Sequence, residues 1–257
     1  MRSTMDIDAN ITGINFTEEK IKELVEEIAA IDLEDNVTFT VDKSNIIRED
    51  NEYGGYSFKI TGKAFNIIIP FHIDISTGDL ITPKAVEYKY KFILEDKYIE
   101  LYTYNYETII AEKLQTVLSR NTTNSRMKDY YDLYYFVTNK WNEVDEEILN
   151  KAIYTTFKHR NTEQDLKDFD NIIDNILNSE IMQNRWKSYQ EKFYYAKNIE
   201  FHDVIDAIKK IVGKVIHIGK IDDPFYSESN MKRLEKAIKD VRDGNITVHE
   251  LVENEEE

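Results

Sequence analysis

The chain has 257 residues, no cysteine and a formal charge of −16, with 33 basic residues against 49 acidic ones. The absence of cysteine excludes disulfides, thiolate chemistry and Cys-based zinc sites, and the acidic balance argues against a broad nucleic-acid-binding surface. No apolar stretch reaches the length of a membrane span and no signal peptide is visible. We therefore expect a cytoplasmic protein without a membrane partner.

The first part of the sequence, residues 1–105, predicts a mixed α/β core. Its helix is predicted over FTEEKIKELVEEIAAI, where Thr17 is a candidate N-cap and Ile21, Leu24, Val25 and Ile28 recur at helical spacing. Alternation or apolar content predicts strands over residues 36–41, 56–65, 66–76, 87–95 and 98–104. The third of these strands, NIIIPFHIDIS, is predicted to be buried on both faces.

The second part, residues 106–257, has helical periodicity throughout. Helices are predicted over residues 107–120, 126–137, 145–160, 165–179, 181–196, 201–212 and 229–244. The predicted fold class is therefore α+β, with a mixed sheet followed by a helical C-terminal half.

Two aspartates, Asp6 and Asp8, stand one residue apart near the start of the chain. In a strand they would share a face, where two carboxylates repel unless a cation lies between them. Oxygen ligands suit Mg²⁺, which commonly also binds nucleotide phosphates; a solvated turn is the alternative. Asp74, near the end of the predicted buried strand, is a candidate third carboxylate of a metal site for phosphoryl transfer, or an exposed residue at a strand end. We expect the nearby His72 to face away from Asp74.

A second group of charged candidates lies on the first two helices of the helical half. Lys113 lies on a partly apolar helix face, where a lysine can also simply extend its amine to solvent. Arg126 and Asp129 stand three residues apart on the next helix. Lys128 and Asp132 stand four apart, and spacing alone favours ion pairs on a helix surface for both.

Four segments in this order carry a family resemblance: RSTMDID, FHIDISTGDLITP, YNYETIIAEKL and NSRMKDYYDLYYF. Together they resemble the AbiEii/AbiGii nucleotidyl transferase toxin family over about residues 1–140. The resemblance implies a nucleotidyltransferase fold of the DNA polymerase β type with a helical extension. It also implies the toxin half of a bacterial type IV toxin–antitoxin or phage-defence (abortive infection) pair. The implied activity is Mg²⁺-dependent transfer of an NMP from an NTP to an RNA end, probably that of tRNA, and the implied partner is a cognate antitoxin.

The resemblance assigns roles to four residues of the α/β core. Asp6 and Asp8 match the catalytic metal carboxylates of the D-x-D motif. Asp74 matches the third metal carboxylate of the general fold. Thr4 matches the small hydroxyl residue two positions before the first aspartate and is assigned to nucleotide binding.

The resemblance also assigns roles in the helical half. Lys113 would contact the triphosphate and neutralise developing charge. Asp129 would be a further catalytic acidic residue, with Asp132 able to take its place beside the nucleotide. Arg126 would bind phosphate through the forked N–H donors of its guanidinium, and Lys128 would bind phosphate as a point charge.

The family pattern has a helix and a glycine-rich segment before D-x-D, which lets backbone N–H groups approach the triphosphate. The chain starts at Met1 without this segment, so we interpret it as truncated at its N-terminus. The alternative function is a catalytically inactive remnant or a nucleotide-binding interaction module. A nucleotidyltransferase that modifies a small molecule or a protein is a third possibility.

One further segment, RWKSYQEKFYYAK, mixes basic and aromatic residues between Arg185 and Lys197. Basic and aromatic side chains in one segment can contact RNA. The favoured interpretation is a helix packed through Trp186, Tyr189 and Phe193.

Overall fold

The structure is a computed structural model that describes residues 6–11, 17–47, 55–92 and 95–218, with only the backbone for residues 6, 47 and 215–218. Thr4 and the predicted helix over residues 229–244 lie outside this part. The described chain contains a mixed sheet followed by a helical half, so the predicted α+β class is confirmed. It divides into two compact units. One holds the described residues up to Asn105 and Tyr189–Asn198; the other holds Tyr106–Ser188 and the described residues from Ile199 onward.

The first unit is built on a four-stranded sheet with the strand order β1–β4–β3–β2. The strands are β1 (Asp6–Asn10), β2 (Val37–Ile47), β3 (Gly55–Ala64) and β4 (Ile67–Ser76). The pairs β2–β3 and β3–β4 are antiparallel, whereas β1 runs parallel to β4. The D-x-D motif therefore lies in a strand rather than in a turn.

Helix α1 (Glu18–Ala29) packs on one face of this sheet. As predicted, Thr17 is its N-cap, and its Oγ1 accepts a hydrogen bond from the Lys20 N–H at 3.3 Å. The core between helix and sheet consists of Ile21, Val25, Phe58, Ile60 and Ile75. Ile28, predicted on the apolar stripe, is 59% exposed, so α1 buries a narrower stripe than expected.

Strand β4 is not buried on both faces, which corrects the prediction. Ile67–Ile69 are more than half exposed, and burial is reached only at Ile75 and Ser76. The reason is that the core beneath α1 includes Phe71, Ile73 and Ile75 of β4 but none of Ile67–Ile69. Among the described residues, β1 also pairs with β4 only from His72 onward. Pro70 lies in the half of β4 whose edge has no described partner, a position that tolerates a residue without an N–H.

A separate antiparallel hairpin consists of β5 (Val86–Lys91) and β6 (Tyr98–Thr103). Nearly all of its side chains are exposed. One face is apolar and is formed by Val86, Tyr88, Tyr90, Ile99 and Leu101.

The rest of the described chain is helical. Its helices are α2 (Tyr106–Arg120), α3 (Met127–Tyr135), α4 (Glu146–His159), α5 (Glu163–Lys167), α6 (Phe169–Asn178), α7 (Glu180–Lys192) and α8 (Phe201–Ile218). The largest buried side chains include Leu114, Tyr130, Leu149, Phe157 and Trp186. The helix predicted over residues 165–179 forms two helices, α5 and α6. No helix in the described ranges is long and apolar enough to cross a membrane.

Candidate active site

The polar face of the sheet carries three side chains in a row. Asp8 on β1 and Ser57 on β3 both lie opposite Asp74 on β4. Residues at the same register share a face, and this face is opposite to the α1 core, because the neighbouring Ile73 and Ile75 pack into that core. Ser57 Oγ donates a hydrogen bond of 2.5 Å to Asp74 Oδ1, which fixes the direction of this carboxylate.

Asp6 lies opposite His72 in the same parallel pair. Residues two apart in a strand occupy the same face, so the register places His72 on the face of Asp74. The expectation that His72 faces away from Asp74 is therefore wrong. The side chain of Asp6 lies outside the described part.

The donor set on this face fits a divalent cation. Asp8 and Asp74 lie on adjacent strands, about 5 Å apart, where two negative charges repel unless a cation lies between them. Carboxylate oxygens are the ligands that Mg²⁺ prefers. Among the side chains that the structure describes, no group of three His, Asp or Glu is placed to hold a metal. A third ligand would have to come from Asp6 or from a substrate phosphate.

The carboxyl ends of β1 and β4 are joined by a polar cluster that sequence analysis missed. Asn10 Nδ2 donates to Tyr104 Oη at 2.9 Å and to the Asp79 main-chain oxygen at 3.2 Å. Ser76 Oγ donates to Asp79 Oδ2 at 2.8 Å. These bonds fix the end of β1 two residues after Asp8. Asp6, Asp8 and Asn10 alternate along β1, and this alternation is the sequence signal that could have indicated Asn10.

In the helical half, four predicted residues come together between α2 and α3. Lys113 Nζ lies 2.9 Å from Asp129 Oδ1 and 2.8 Å from Asp132 Oδ2. Arg126 Nε lies 2.8 Å from the other carboxylate oxygen, Asp129 Oδ2. Asp129 therefore bridges two cations, and Lys113 bridges two carboxylates. We call these four residues the charge cluster.

The environment of Asp129 is buried and positively charged. Its side chain is 2% exposed, against 18% for Lys113 and 45% for Arg126. Burial by itself would raise the pKa of the Asp129 carboxyl, but the charges of Lys113 and Arg126 and their hydrogen bonds outweigh it and lower this pKa below its usual value. Asp129 is thus a carboxylate that holds two cations in place.

Lys128 does not take part in the charge cluster. It is half-buried on α3 and makes no ion pair with another residue of the described ranges. The expected pair with Asp132 is absent because Asp132 binds Lys113 instead.

The loop before α3 is fixed by a residue that sequence analysis did not select. Asn124 Oδ1 accepts a hydrogen bond from the Arg126 N–H at 2.9 Å. Arg185 Nη1 donates to the main-chain oxygens of Thr122 at 2.8 Å and Asn124 at 3.0 Å. The sequence gives no signal for Arg185, because about 60 residues separate it from the loop.

Paired carboxylates suited to a divalent cation and basic side chains suited to phosphates are the parts of enzymes that transfer phosphoryl or nucleotidyl groups. The family model described as nucleotidyl transferase AbiEii toxin, type IV TA system, matches residues 1–209. The chain belongs to this family of nucleotidyl transferases, the toxins of type IV toxin–antitoxin systems. The resemblance seen over residues 1–140 is thereby confirmed, and the match extends further along the helical half.

Two solved structures are distantly similar to the chain. JHP933 from Helicobacter pylori is 15% identical with a TM-score of 0.41, over 95% of this chain and 83% of that protein. A protein from H. pylori assigned as a nucleotidyltransferase is 13% identical with a TM-score of 0.40, over 84% of this chain and 81% of that protein. No curated protein sequence matches the chain.

Proposed function

We propose that this chain is an Mg²⁺-dependent nucleotidyltransferase that moves a nucleoside monophosphate from an NTP to the end of an RNA, with tRNA as the acceptor. The observation that carries the proposal is the placement of Asp8 directly opposite Asp74 on the polar face of the sheet. Family membership supports the transferase activity and the toxin role. The setting we propose is bacterial phage defence in the cytoplasm, with a cognate antitoxin opposing the toxin.

The carboxylates of the sheet would act as the metal-binding part of the site. Asp8 and Asp74, together with Asp6, would hold Mg²⁺, which supplies activation of the attacking hydroxyl and charge stabilisation of the leaving pyrophosphate. Ser57 would keep the Asp74 carboxylate directed by its hydrogen bond. A fixed ligand direction reduces the reorganisation needed when the cation binds.

The charge cluster would act as the phosphate-binding part. Lys113 and Arg126 are the partly exposed members and would contact the triphosphate, while Asp129 and Asp132 hold Lys113. Both oxygens of Asp129 are engaged by cations, which supports a positioning role for this carboxylate. Thr4 and Lys128 complete the proposed nucleotide-binding set, on the strength of the family motif alone.

The test is transfer of label from each of the four α-³²P-labelled NTPs to total bacterial tRNA in the presence of Mg²⁺. We expect one NTP to label the RNA, and Asp8→Asn to reduce labelling by at least about 100-fold, since even outer-shell metal partners cost 10- to 100-fold. Lys113→Ala should give a comparable loss. Asp174→Asn, a charge-matched change at an exposed position of α6, is the control.

Three results would contradict the proposal in different ways. Labelling by Asp8→Asn at the wild-type rate would remove the metal role of the sheet carboxylates. Label that never enters RNA, but appears on a protein or small molecule in a cell extract, would support the transferase activity and show that the acceptor is not RNA. Binding of Mg–NTP without any transfer would favour the nucleotide-binding module.

A further inference from the structure

An aromatic turn connects α7 to α8, and nothing in the proposed chemistry uses it. It consists of Tyr189 and Phe193 at the end of α7 and Tyr194 and Tyr195 in the tight turn Tyr194–Ala196. The sequence favoured a helix packed through Trp186, Tyr189 and Phe193. That is correct for Trp186, which is 2% exposed and donates from Nε1 to the Ile199 main-chain oxygen at 2.8 Å. Tyr189 and Phe193 are only half-buried; Tyr194 and Tyr195, for which no packing was predicted, are exposed and half-buried respectively.

The rings of the aromatic turn are held in fixed positions relative to one another. The Tyr189 and Phe193 centroids are 4.7 Å apart, and Phe193 stacks on Tyr195 at 5.4 Å with 23° between the ring planes. The hydroxyls of Tyr189 and Tyr195 lie within hydrogen-bond distance, 3.1 Å. The backbone beneath is fixed as well, because Ala196 is completely buried. The cluster is therefore preorganised, and its Tyr194 ring is exposed.

Tyr194 is the most exposed ring of this cluster. Its residue surface is 88% exposed, and its ring contacts Tyr195 edge to face at 5.6 Å. A single exposed aromatic residue is ordinary. Here the exposed ring extends from an ordered stack of three others, which presents aromatic surface for further stacking.

The segment that contains the aromatic turn is basic, whereas the chain as a whole is acidic. Lys192 Nζ lies 5.4 Å from the Phe193 ring centroid, and Lys197 is exposed on the other side of the turn in sequence. The segment from Arg185 to Lys197 contains four basic residues and one acidic residue, within a chain of net charge −16. Aromatic rings flanked by lysines suit a ligand that has both flat bases and phosphates.

We propose that the aromatic turn binds unpaired bases of single-stranded RNA, and this inference rests on the proposed RNA-directed function. A base stacks on the Tyr194 ring, and Lys192 and Lys197 pair with neighbouring phosphates. Stacking of this kind is tolerant of base identity, whereas phosphate contacts make binding depend on salt. The surface therefore contributes affinity for an unpaired RNA end rather than sequence specificity.

The test is fluorescence anisotropy of a fluorescein-labelled twelve-nucleotide oligoadenylate with the full chain, at low salt and without NTP. We expect Tyr194→Ala to weaken binding about 10-fold and Tyr194→Phe, which keeps the ring, to bind as wild type. Tyr154→Ala is the matched control, since Tyr154 on α4 is also exposed, at 55%, and also lies under a lysine, Lys158, at 5.7 Å. Circular dichroism would confirm that each variant is folded.

A second pair of variants tests the phosphate contacts. Lys192→Gln with Lys197→Gln should weaken binding and reduce the slope of log affinity against log salt by about one to two. Equal affinities for wild type and Tyr194→Ala, or no binding of the oligonucleotide by wild type, would overturn the inference.

This experiment is separate from the test of the proposed function. Asp8→Asn should bind the oligonucleotide as wild type does while losing label transfer, because the aromatic turn needs neither metal nor NTP. A second outcome is that the wild-type chain transfers no label while Tyr194→Ala still weakens oligonucleotide binding. That result would support the RNA-binding surface and contradict only the proposed reaction.

Discussion

Asp129 shows how one buried residue can organise several others. Each of its oxygens accepts from a different cation, Lys113 on α2 and Arg126 just before α3. Residue spacing predicted the pair with Arg126, three positions away. It could not predict the contact with Lys113, because that contact depends on how two helices pack. The same limit explains why Arg185 was not found.

The first prediction concerns the stability that Asp129 provides. Asp129→Asn should lower the free energy of unfolding at pH 7 by about 3 kcal/mol, because it removes the buried charge that pairs with both Lys113 and Arg126. The folded-state pKa of Asp129 is lowered. Its contribution is therefore full above the unfolded pKa of about 4 and is lost as the pH falls through the lower folded pKa. Urea unfolding should show that the difference in free energy of unfolding between wild type and Asp129→Asn is smaller at pH 3.5 than at pH 7.

The exposed Asp174→Asn serves as the control for this pH comparison. It should leave the free energy of unfolding close to wild type at both pH values. A gap between wild type and Asp129→Asn that stays constant down to pH 3 would show that the Asp129 charge does not contribute to stability.

The second prediction concerns Arg185 as a positioning residue. Arg185→Ala removes two hydrogen bonds to the loop that carries Arg126, and should lower stability by about 2 kcal/mol. If Arg126 binds the triphosphate, the KM for the NTP should rise about 5- to 10-fold with a smaller change in kcat. Arg185→Lys retains a donor and should restore part of the effect. A fall in kcat alone would contradict the positioning role.

At the scale of elements, strand and helix types followed from periodicity, but their arrangement did not. Helices α2, α3, α4 and α8 begin within one residue of their predicted starts, since their apolar residues recur regularly. The order β1–β4–β3–β2 arises from long-range pairing. The sequence could suggest Asp74 as a third carboxylate, but the parallel register that places it opposite Asp8 is visible only in the folded sheet.

The third prediction tests the row of side chains across this sheet. Ser57→Ala removes the hydrogen bond to Asp74 and should raise the Mg²⁺ concentration required for half-maximal label transfer about 10-fold. Thermal stability should change little. Ser44→Ala on β2, which removes a comparable bond from Ser44 Oγ to Glu18 Oε1 at 3.0 Å, is the matched control. An unchanged Mg²⁺ requirement for Ser57→Ala would show that Asp74 does not act through the metal.

At the scale of the whole molecule, burial is distributed unevenly. The core beneath α1 contains five buried apolar side chains, whereas most other buried apolar side chains belong to the helical unit. The sequence indicates this contrast only in part, because the isoleucine run of β4 predicts a buried core strand. Apolar content alone does not show whether a neighbouring element covers a strand.

The fourth prediction follows from this distribution and concerns amide hydrogen exchange. We expect the slowest exchange in α2, α3 and α8, and exchange in the β5–β6 hairpin close to that of an unstructured peptide. A two-stranded hairpin with exposed faces has little tertiary stabilisation. Mass spectrometry of exchanged peptides would measure this. A hairpin as protected as α2 would show that a further part of the chain or a second copy covers it.

The Ile67–Ile69 segment of β4 affects how the protein behaves at high concentration. Ile67, Ile68 and Ile69 are exposed on a half of β4 whose edge has no partner among the described residues, and such a segment is a template for intermolecular β-pairing and aggregation. Pro70 interrupts that edge directly after the isoleucines, because it offers no N–H to an incoming strand. Pro70 is then placed as a gatekeeper against aggregation through this strand.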